Sequence, residues 1–325
     1  MSRIAARKPF YVTNQSDITK DLTVRLKIAD IDASYPADYQ YLIQKKKYST
    51  DSELLSVDIS KFIRDHFEHN LIPNANYQQQ GTYHTLKVTA TVNGVATEYI
   101  AYDGYEDVSN STVASPDTIR PIYVGSPAIL EALVVDNNTV KWGVVGGGTS
   151  TVSMVKPTNS EVVAFIQSRS GLTGADTEGN RVWVENYSGG VSWKRYADLV
   201  CPYNDTYTIQ FINRYGLWDY IDVTGRIYHN RRATSKKYLS SLGYTRDINR
   251  VGTRTLKVSV GIVQPSFSPI LEDLLMSERI TLWDGTNETP LVLTTASIEE
   301  LETRGYAVNV PEIEFEFANP IIPIV

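Results

Sequence analysis

Residues 207–226 have the sequence YTIQFINRYGLWDYIDVTGR, and this stretch decides the fold class. In its first half Tyr207, Ile209 and Phe211 alternate with polar residues, which is the period of two of a half-buried β-strand. A tight corner at residues 213–216 leads into a second strand, which carries large side chains on both faces. We expect one face of this hairpin to pack in the chain's own core and a neighbouring molecule to cover the other.

The composition is that of a folded protein rich in β structure. The chain has 325 residues, 42% of them apolar and 21% charged, which is enough for about two or three domains. Its 21 tyrosines against 8 phenylalanines favour half-buried strands and protein contact surfaces, because the tyrosine ring carries a polar hydroxyl. The alternative is that tyrosine serves only as a strand former.

Charge and cysteine content exclude several classes of function. The formal net charge of −6 argues against a protein that coats nucleic acid, since phosphate binding needs excess positive charge. Cys201 is the only cysteine, so the chain forms no internal disulfide and no cysteine-rich metal site. The N-terminus lacks the apolar run of a signal peptide, and no stretch has the roughly 18–20 apolar residues of a membrane span. We expect no membrane insertion and folding in a reducing cytoplasm.

The pattern of strands and turns predicts a mainly β fold, with two or three β-sandwich or barrel-like units and a few short helices. We place an N-terminal β-sandwich at residues 1–115, a small middle β unit at 116–195 and a C-terminal β domain at 196–325. The first boundary falls in the polar stretch 108–127, whose Ser, Asn, Thr, Asp and Pro residues are typical of a linker.

Several local signals predict individual elements. Asn93-Gly94 between two alternating runs predicts a type I′ hairpin, because both residues tolerate positive φ. Ser60 is placed to cap a short helix over residues 61–69, and Ser268 to cap one over residues 268–277. The arginine-rich and lysine-rich residues 226–254 are interpreted as a basic loop.

A search for reactive groups gives no catalytic constellation. Of the four histidines, only His66 and His69 have a spacing that two metal ligands could share, and no acidic or thiol ligand matches them. The Asp219 and Asp222 carboxylates are conceivable glycosidase acids, but strand polarity explains them more simply. The triple glycine at residues 146–148 lacks the lysine of a phosphate loop and is interpreted as a turn. We therefore expect no enzymatic activity, no cofactor and no metal.

Three places in the chain resemble virion structural proteins of tailed bacteriophages, especially phages of Bacteroidetes. The first is the opening at residues 6–12, which leads into a strand and then into residues 57–63. The second, residues 211–219, is similar to a recurring Asn-Arg-Tyr-Gly motif of these proteins. The third comprises residues 274–277 and 315–320, which look like the end of tail and baseplate ring subunits.

The resemblance implies a non-enzymatic subunit of a ring in the neck, tail or baseplate, which assembles in the host cytoplasm and remains in the virion. Its partners would be other copies of itself and neighbouring phage structural proteins, and a negative lumen would let DNA pass without sticking. We select as candidate interface residues those of the opening, the corner and the apolar C-terminal end: Phe10, Tyr11, Asn213, Arg214, Tyr215, Trp218, Phe317, Ile321, Ile322 and Ile324.

The alternative function is a carbohydrate-binding or adhesin module of a phage or bacterial surface structure. Trp183, Trp193 and Trp218 are the candidate platforms on which sugar rings would stack. Their simpler interpretation is that they pack in a core or an interface.

Overall fold

The computed structural model is mainly β, which confirms the predicted fold class. It describes residues 2–13, 21–30, 33–48, 53–67, 77–79, 86–105, 119–126, 128, 130–135, 138–154, 162–167, 174, 177–188, 191–201, 206–216, 218–239, 241, 243–260, 268–284, 287–295 and 312–318.

The described residues form strands and two helices, in the following order. The first part contains β1 (Ser2–Ala5), β2 (Tyr11–Thr13), β3 (Leu22–Asp30), β4 (Tyr41–Lys45), β5 (Ser56–Asp58), α1 (Ser60–Arg64), β6 (Tyr77–Gln79), β7 (Leu86–Val92) and β8 (Val95–Tyr102). The middle part contains β9 (Ile119–Tyr123), β10 (Leu130–Val135), β11 (Asn138–Val144), β12 (Thr149–Met154), β13 (Val162–Gln167), β14 (Arg181–Ser188) and β15 (Val191–Val200). The last part contains β16 (Tyr207–Ile212), β17 (Trp218–Leu239), β18 (Thr245–Ser259), α2 (Ser268–Met276), β19 (Ile280–Trp283), β20 (Glu288–Leu293) and β21 (Glu312–Phe317).

The N-terminal unit is a five-stranded sheet in the order β1-β8-β7-β3-β4, accompanied by the two-stranded β2-β5 ribbon and by α1. The core of this unit follows from the alternation of apolar and polar residues along its strands. On β3, Val24, Leu26 and Ile28 are buried, whereas the residues between them are not. The hairpin between β7 and β8 confirms the Asn-Gly prediction, with φ of 48° at Asn93 and 92° at Gly94.

The helix predicted after Ser60 is shorter than expected, and Ser60 does not cap it. α1 is a five-residue helix whose N-cap is Ile59, without a side-chain cap. Ser60 instead donates from Oγ to Asp58 Oδ1 at 2.6 Å, and the same oxygen accepts the Ser60 backbone N–H at 3.0 Å. The Asp58 carboxylate, one residue before the N-cap, therefore accepts the N–H of the first helical residue. His66 lies beyond the helix, where its Nε2 is 2.9 Å from Tyr41 Oη; His69 lies outside the described residues.

The middle unit contains a five-stranded sheet in the order β12-β11-β14-β15-β9, in which only β9 is parallel to its neighbour. β9 lies inside the stretch that was interpreted as a linker. A smaller sheet has the strand order β10-β13-β6, and its strand β6 comes from the N-terminal part of the sequence. The predicted boundary between residues 195 and 196 falls inside β15. The triple glycine forms the turn between β11 and β12, with φ of 75° at Gly146.

The C-terminal unit is a closed antiparallel barrel in the order β16-β17-β18-β21-β20-β19. Ile209, Phe211, Leu256 and Phe315 are fully buried in its core. The helix α2 confirms the prediction for residues 268–277, and its Ile270, Leu271 and Leu274 join the same core. Closure removes the sheet edges that an open sheet of six strands would expose.

The hairpin of β16 and β17 is covered on both faces by this chain itself, so the expectation of a neighbouring molecule on one face is wrong. Ile209 and Ile221 belong to the barrel core. Ile212, Trp218 and Tyr220 belong to a second cluster, which also contains middle-sheet residues such as Trp142 and Val184. Alternation correctly indicated two buried faces, but the covering surface is the middle sheet.

Within the described part of the chain, no helix is long and apolar enough to cross a membrane.

Candidate assembly surface

The Asn213–Gly216 corner docks on the N-terminal unit. Asn213 holds the turn, since its carbonyl accepts the Gly216 N–H at 3.0 Å and its Oδ1 accepts the Tyr215 N–H at 3.0 Å. Gly216 has a φ of 79°, and an added Cβ would lie 2.8 Å from the Asp103 backbone. Across the contact, the Tyr105 N–H donates to the Arg214 carbonyl at 2.9 Å. The motif thus needs glycine both for its backbone conformation and for close approach.

Arg214 connects this corner to α2. Its Nε donates to Asp273 Oδ1 at 2.7 Å, and the Tyr105 hydroxyl donates to the same oxygen at 2.7 Å. Burial lowers the pKa of the Arg214 guanidinium, but the Asp273 charge outweighs that effect and raises the pKa. Burial also raises the pKa of the Asp273 carboxyl, although the hydrogen bonds from Tyr105 and Arg214 oppose the shift. We call residues 103–105, 213–216 and Asp273 the clasp.

A second ion pair holds the N-terminal side of the clasp. Arg7 donates to both oxygens of Asp103, from Nε at 3.2 Å and from Nη2 at 3.1 Å, and the two side chains are 6% and 5% exposed. The Arg7 N–H donates to the Gly104 carbonyl at 2.9 Å. Bidentate pairing of this kind fixes orientation as well as distance. The clasp therefore joins the N-terminal sheet, the barrel and α2.

A buried ionic cluster joins the middle sheet to the barrel. Arg120 of β9 and Arg195 of β15 both donate to the Asp219 carboxylate, Arg195 from Nη2 at 2.8 Å. The same carboxylate accepts the Tyr220 N–H at 2.9 Å. The three charged side chains are between 2% and 4% exposed. Burial raises the pKa of the Asp219 carboxyl, but the charges of Arg195 and Arg120 outweigh burial and lower this pKa to about 2.

Asp222 makes a separate set of bonds between the same two units. Its Oδ2 accepts the Tyr123 N–H at 2.8 Å, and its Oδ1 accepts the hydroxyls of Ser126 and Thr208, both at 2.7 Å. Asp222 is 2% exposed. Both candidate glycosidase acids are thus buried and hydrogen-bonded to structural groups.

The candidate interface residues occupy different places. Asn213, Arg214 and Tyr215 meet in the clasp, and Trp218 is 4% exposed between barrel and middle sheet. Phe10 is half-buried against Tyr99, with ring centroids 5.3 Å apart, whereas Tyr11 is 60% exposed. Phe317 is half-buried under the Arg254 guanidinium, 4.9 Å from its ring centroid. Ile321, Ile322 and Ile324 lie outside the described residues.

The candidate sugar platforms are not grouped on an exposed face. Burial of Trp218 leaves no ring face for a ligand, and Trp183 is half-buried. The side chain of Trp193 lies outside the described part of the structure. A pocket of about 570 Å³ opens beside β14, lined by residues that include Glu178, Asn180, Arg181 and Asp198. Arg181 and Asp198 are cross-strand partners that pair with each other at 2.5 and 2.9 Å.

No three His, Cys, Asp or Glu residues among those the structure describes are grouped so as to hold a metal ion.

Sequence reasoning missed a long β-ribbon with an exposed tip. The supposed basic loop is a long two-stranded extension of the barrel, because β17 continues to Leu239 and β18 begins at Thr245. Pairing of β17 with β16 ends at Val223, and pairing of β18 with β21 begins at Thr255. From the Arg231–Arg254 pair to the Leu239–Thr245 pair, the two strands are hydrogen-bonded only to each other among the described strands. We call residues 231–254 the arm.

The arm is long, basic and apolar at its tip. Nine strand residues from Arg231 to Leu239 extend about 30 Å at the usual rise per residue. Residues 231–254 contain seven Lys and Arg and one Asp, a formal charge of +6. Because the whole chain has a net charge of −6, the residues outside the arm together carry −12. At the tip, Leu239 is 71% exposed, Tyr244 67% and Tyr238 40%. The lysines at 236 and 237, both exposed, were the signal that sequence reasoning assigned to a loop.

No known protein-family model matches this sequence, and no curated protein matches it. Among solved structures, the chain is similar to the crystal structure of Dpr2 Ig1-Ig2 in complex with DIP-Theta Ig1-Ig3, at 8% identity over 97% of this chain and 86% of that chain. The TM-score is 0.16, and a likeness this low carries no argument about fold, ligand or partner.

Proposed function

We propose that this chain is a structural subunit of a tailed-phage virion, which forms part of a ring in the neck, tail or baseplate through protein–protein contacts. The arm is the observation that carries the proposal. A two-stranded ribbon alone is marginally stable in water, and it presents unpaired backbone groups along its edges. An exposed apolar tip adds to that liability. Burial against a neighbouring molecule during assembly removes all of these costs.

The way the three units are joined supports the same role. The clasp fixes the N-terminal sheet to the barrel through Tyr105, and the Asp219 cluster fixes the middle sheet to it. The arm therefore projects from a body whose parts are held together by buried ion pairs. A ring subunit needs such a body, because the position of each copy sets the position of the next.

Native mass spectrometry and mass photometry of the purified chain, over a range of concentrations at low salt, test self-assembly. The proposal predicts a closed oligomer of one fixed copy number, visible as a ring by electron microscopy. A monomer at every concentration would contradict it.

Quantitative mass spectrometry of gradient-purified phage particles tests the virion assignment. The chain should be present at a fixed ratio to the major capsid protein. Its absence from the particles, with the chain present in the infected cell, would overturn the assignment.

A further inference from the structure

We propose that the arm of one copy binds the outer face of strands β20 and β21 on the next copy. This inference rests on the proposed assembly function, and it names the two surfaces that make the contact. The receiving surface, which we call the acidic wall, consists of Glu288, Val292, Glu312, Glu314 and Glu316.

Strand register places these residues on one face of the barrel. Val292 is the cross-strand partner of Glu316, so their side chains point to the same side of the sheet. Glu288 and Val292 are exposed positions of one strand, four residues apart, and Val292 is 53% exposed. Glu312, Glu314 and Glu316 alternate with the buried Ile313 and Phe315. The wall is thus an exposed valine directly opposite Glu316, with further carboxylates along both strands. One of them, Glu312, is paired with Lys257 of β18 at 2.5 Å.

The chemistry of the arm tip complements this wall. The tip offers Tyr238, Leu239 and Tyr244 for the apolar spot, and the exposed lysines at 236 and 237 for the glutamates. Lysines of the arm that face the glutamates of the wall on a second copy bring opposite charges together.

An arm cannot reach the wall of its own barrel. Glu316 pairs with Thr255 at the root of the arm, whereas the tip ends at the Leu239–Thr245 pair. Ten strand residues separate Thr245 from Thr255, a distance of about 33 Å along the extended ribbon seen in this structure. Contact between tip and wall therefore joins two molecules. Because the two surfaces differ, the contact closes a two-fold dimer when each arm reaches the wall of the other copy, and it builds a larger ring or a filament when the contact continues to a further copy.

Charge reversal tests the contact in both directions. The arm variant K236E/K237E and the wall variant E288K/E316K should each weaken self-association by about tenfold or more, because like charges then face each other. The double-site variant, with all four substitutions in one chain, should recover assembly. An equimolar mixture of the arm and wall variants should also assemble, with the two variants alternating and an even copy number. Mass photometry at low salt measures all four cases.

Two controls separate this contact from general charge effects. K46E/K61E changes the net charge by the same amount as K236E/K237E, at two exposed lysines of the N-terminal unit. It should assemble as the unchanged chain does. Every variant should keep the far-UV circular dichroism and the unfolding midpoint of the unchanged chain, since the substituted lysines and Glu288 are exposed and the half-buried Glu316 lies on the outer face of the barrel.

The outcomes distinguish the contact from the function. If the unchanged chain forms a ring and both single-site variants form it equally well, the arm-to-wall contact is refuted and the assembly function stands. If the unchanged chain never associates, the assembly function fails and the contact fails with it. If K236E/K237E loses binding to a labelled DNA duplex and the wall substitutions do not restore assembly, the arm is a nucleic-acid site and the inference is overturned.

Discussion

Replacement of Asp219 by asparagine tests whether the buried ionic cluster holds the middle sheet to the barrel. The substitution keeps the shape of the side chain and removes its charge, so the guanidinium groups of Arg120 and Arg195 remain buried without a counter-ion. Those two side chains are 2% and 4% exposed. Removing one partner of such a cluster costs about 3–5 kcal/mol of unfolding free energy. We expect D219N to lose stability in that range.

The matched control is D198N. Asp198 also accepts a bidentate contact from an arginine, Arg181, but the two side chains are 40% and 39% exposed. Solvent screens this pair, so its loss should cost less than about 1 kcal/mol. Urea denaturation followed by circular dichroism and by tryptophan fluorescence measures both variants. Equal destabilisation by D219N and D198N would refute the argument.

The same cluster predicts a dependence of stability on pH. The pKa of Asp219 falls from its usual 3.8 to about 2 in the folded chain, so the unfolded chain binds the proton more readily. The resulting stabilisation, about 2 kcal/mol, is complete above pH 4 and disappears as the pH falls through about 2. D219N should lose this part of the acid transition. An unchanged acid transition in D219N would show that other carboxylates cause it.

Two further substitutions test the hairpin of β16 and β17. G216A should lower the unfolding free energy by about 1–3 kcal/mol, because its Cβ meets the Asp103 backbone. G243A is the control, since Gly243 has the same φ of 79° with no atom within 4 Å of an added Cβ, and it should cost less. Equal costs would contradict a role for close approach in the clasp. W218A should lower the unfolding free energy by about 3–5 kcal/mol, because it leaves a cavity between the barrel and the middle sheet. Y11A is the control, since Tyr11 is 60% exposed, and it should change the urea midpoint little. A small effect of W218A would contradict the buried placement of Trp218.

Alternation and turn chemistry were enough to predict much of the fold. The Asn93-Gly94 hairpin, the β16–β17 corner and helix α2 depend on neighbours in sequence, so their signals are local. The cover over Trp218 could not be predicted, because alternation reports that a face is buried and does not identify what buries it. The middle sheet supplies that cover from residues such as Trp142, far away in the chain.

The candidate site was harder to predict, for two physical reasons. Arg120 and Asp219 are 99 residues apart, so nothing in either neighbourhood indicates that they pair. The arm lacks the apolar alternation of a half-buried strand, and its strands form through backbone pairing between β17 and β18. A basic, polar composition of that kind is typical of a loop. What could have indicated the arm was the isolated cluster of Tyr238, Leu239 and Tyr244 within it.

The continuity of β17 has a mechanical consequence. One strand runs from Trp218 in the barrel wall to Leu239 at the tip of the arm, so a pull on the tip is carried along a single covalent backbone into the body. There the load acts along the strand, across hydrogen bonds to β16 and β18 that lie perpendicular to it. Several of these bonds must break together for the strand to slide. A pull on the arm would therefore be resisted by the backbone ladders of β17 acting in shear.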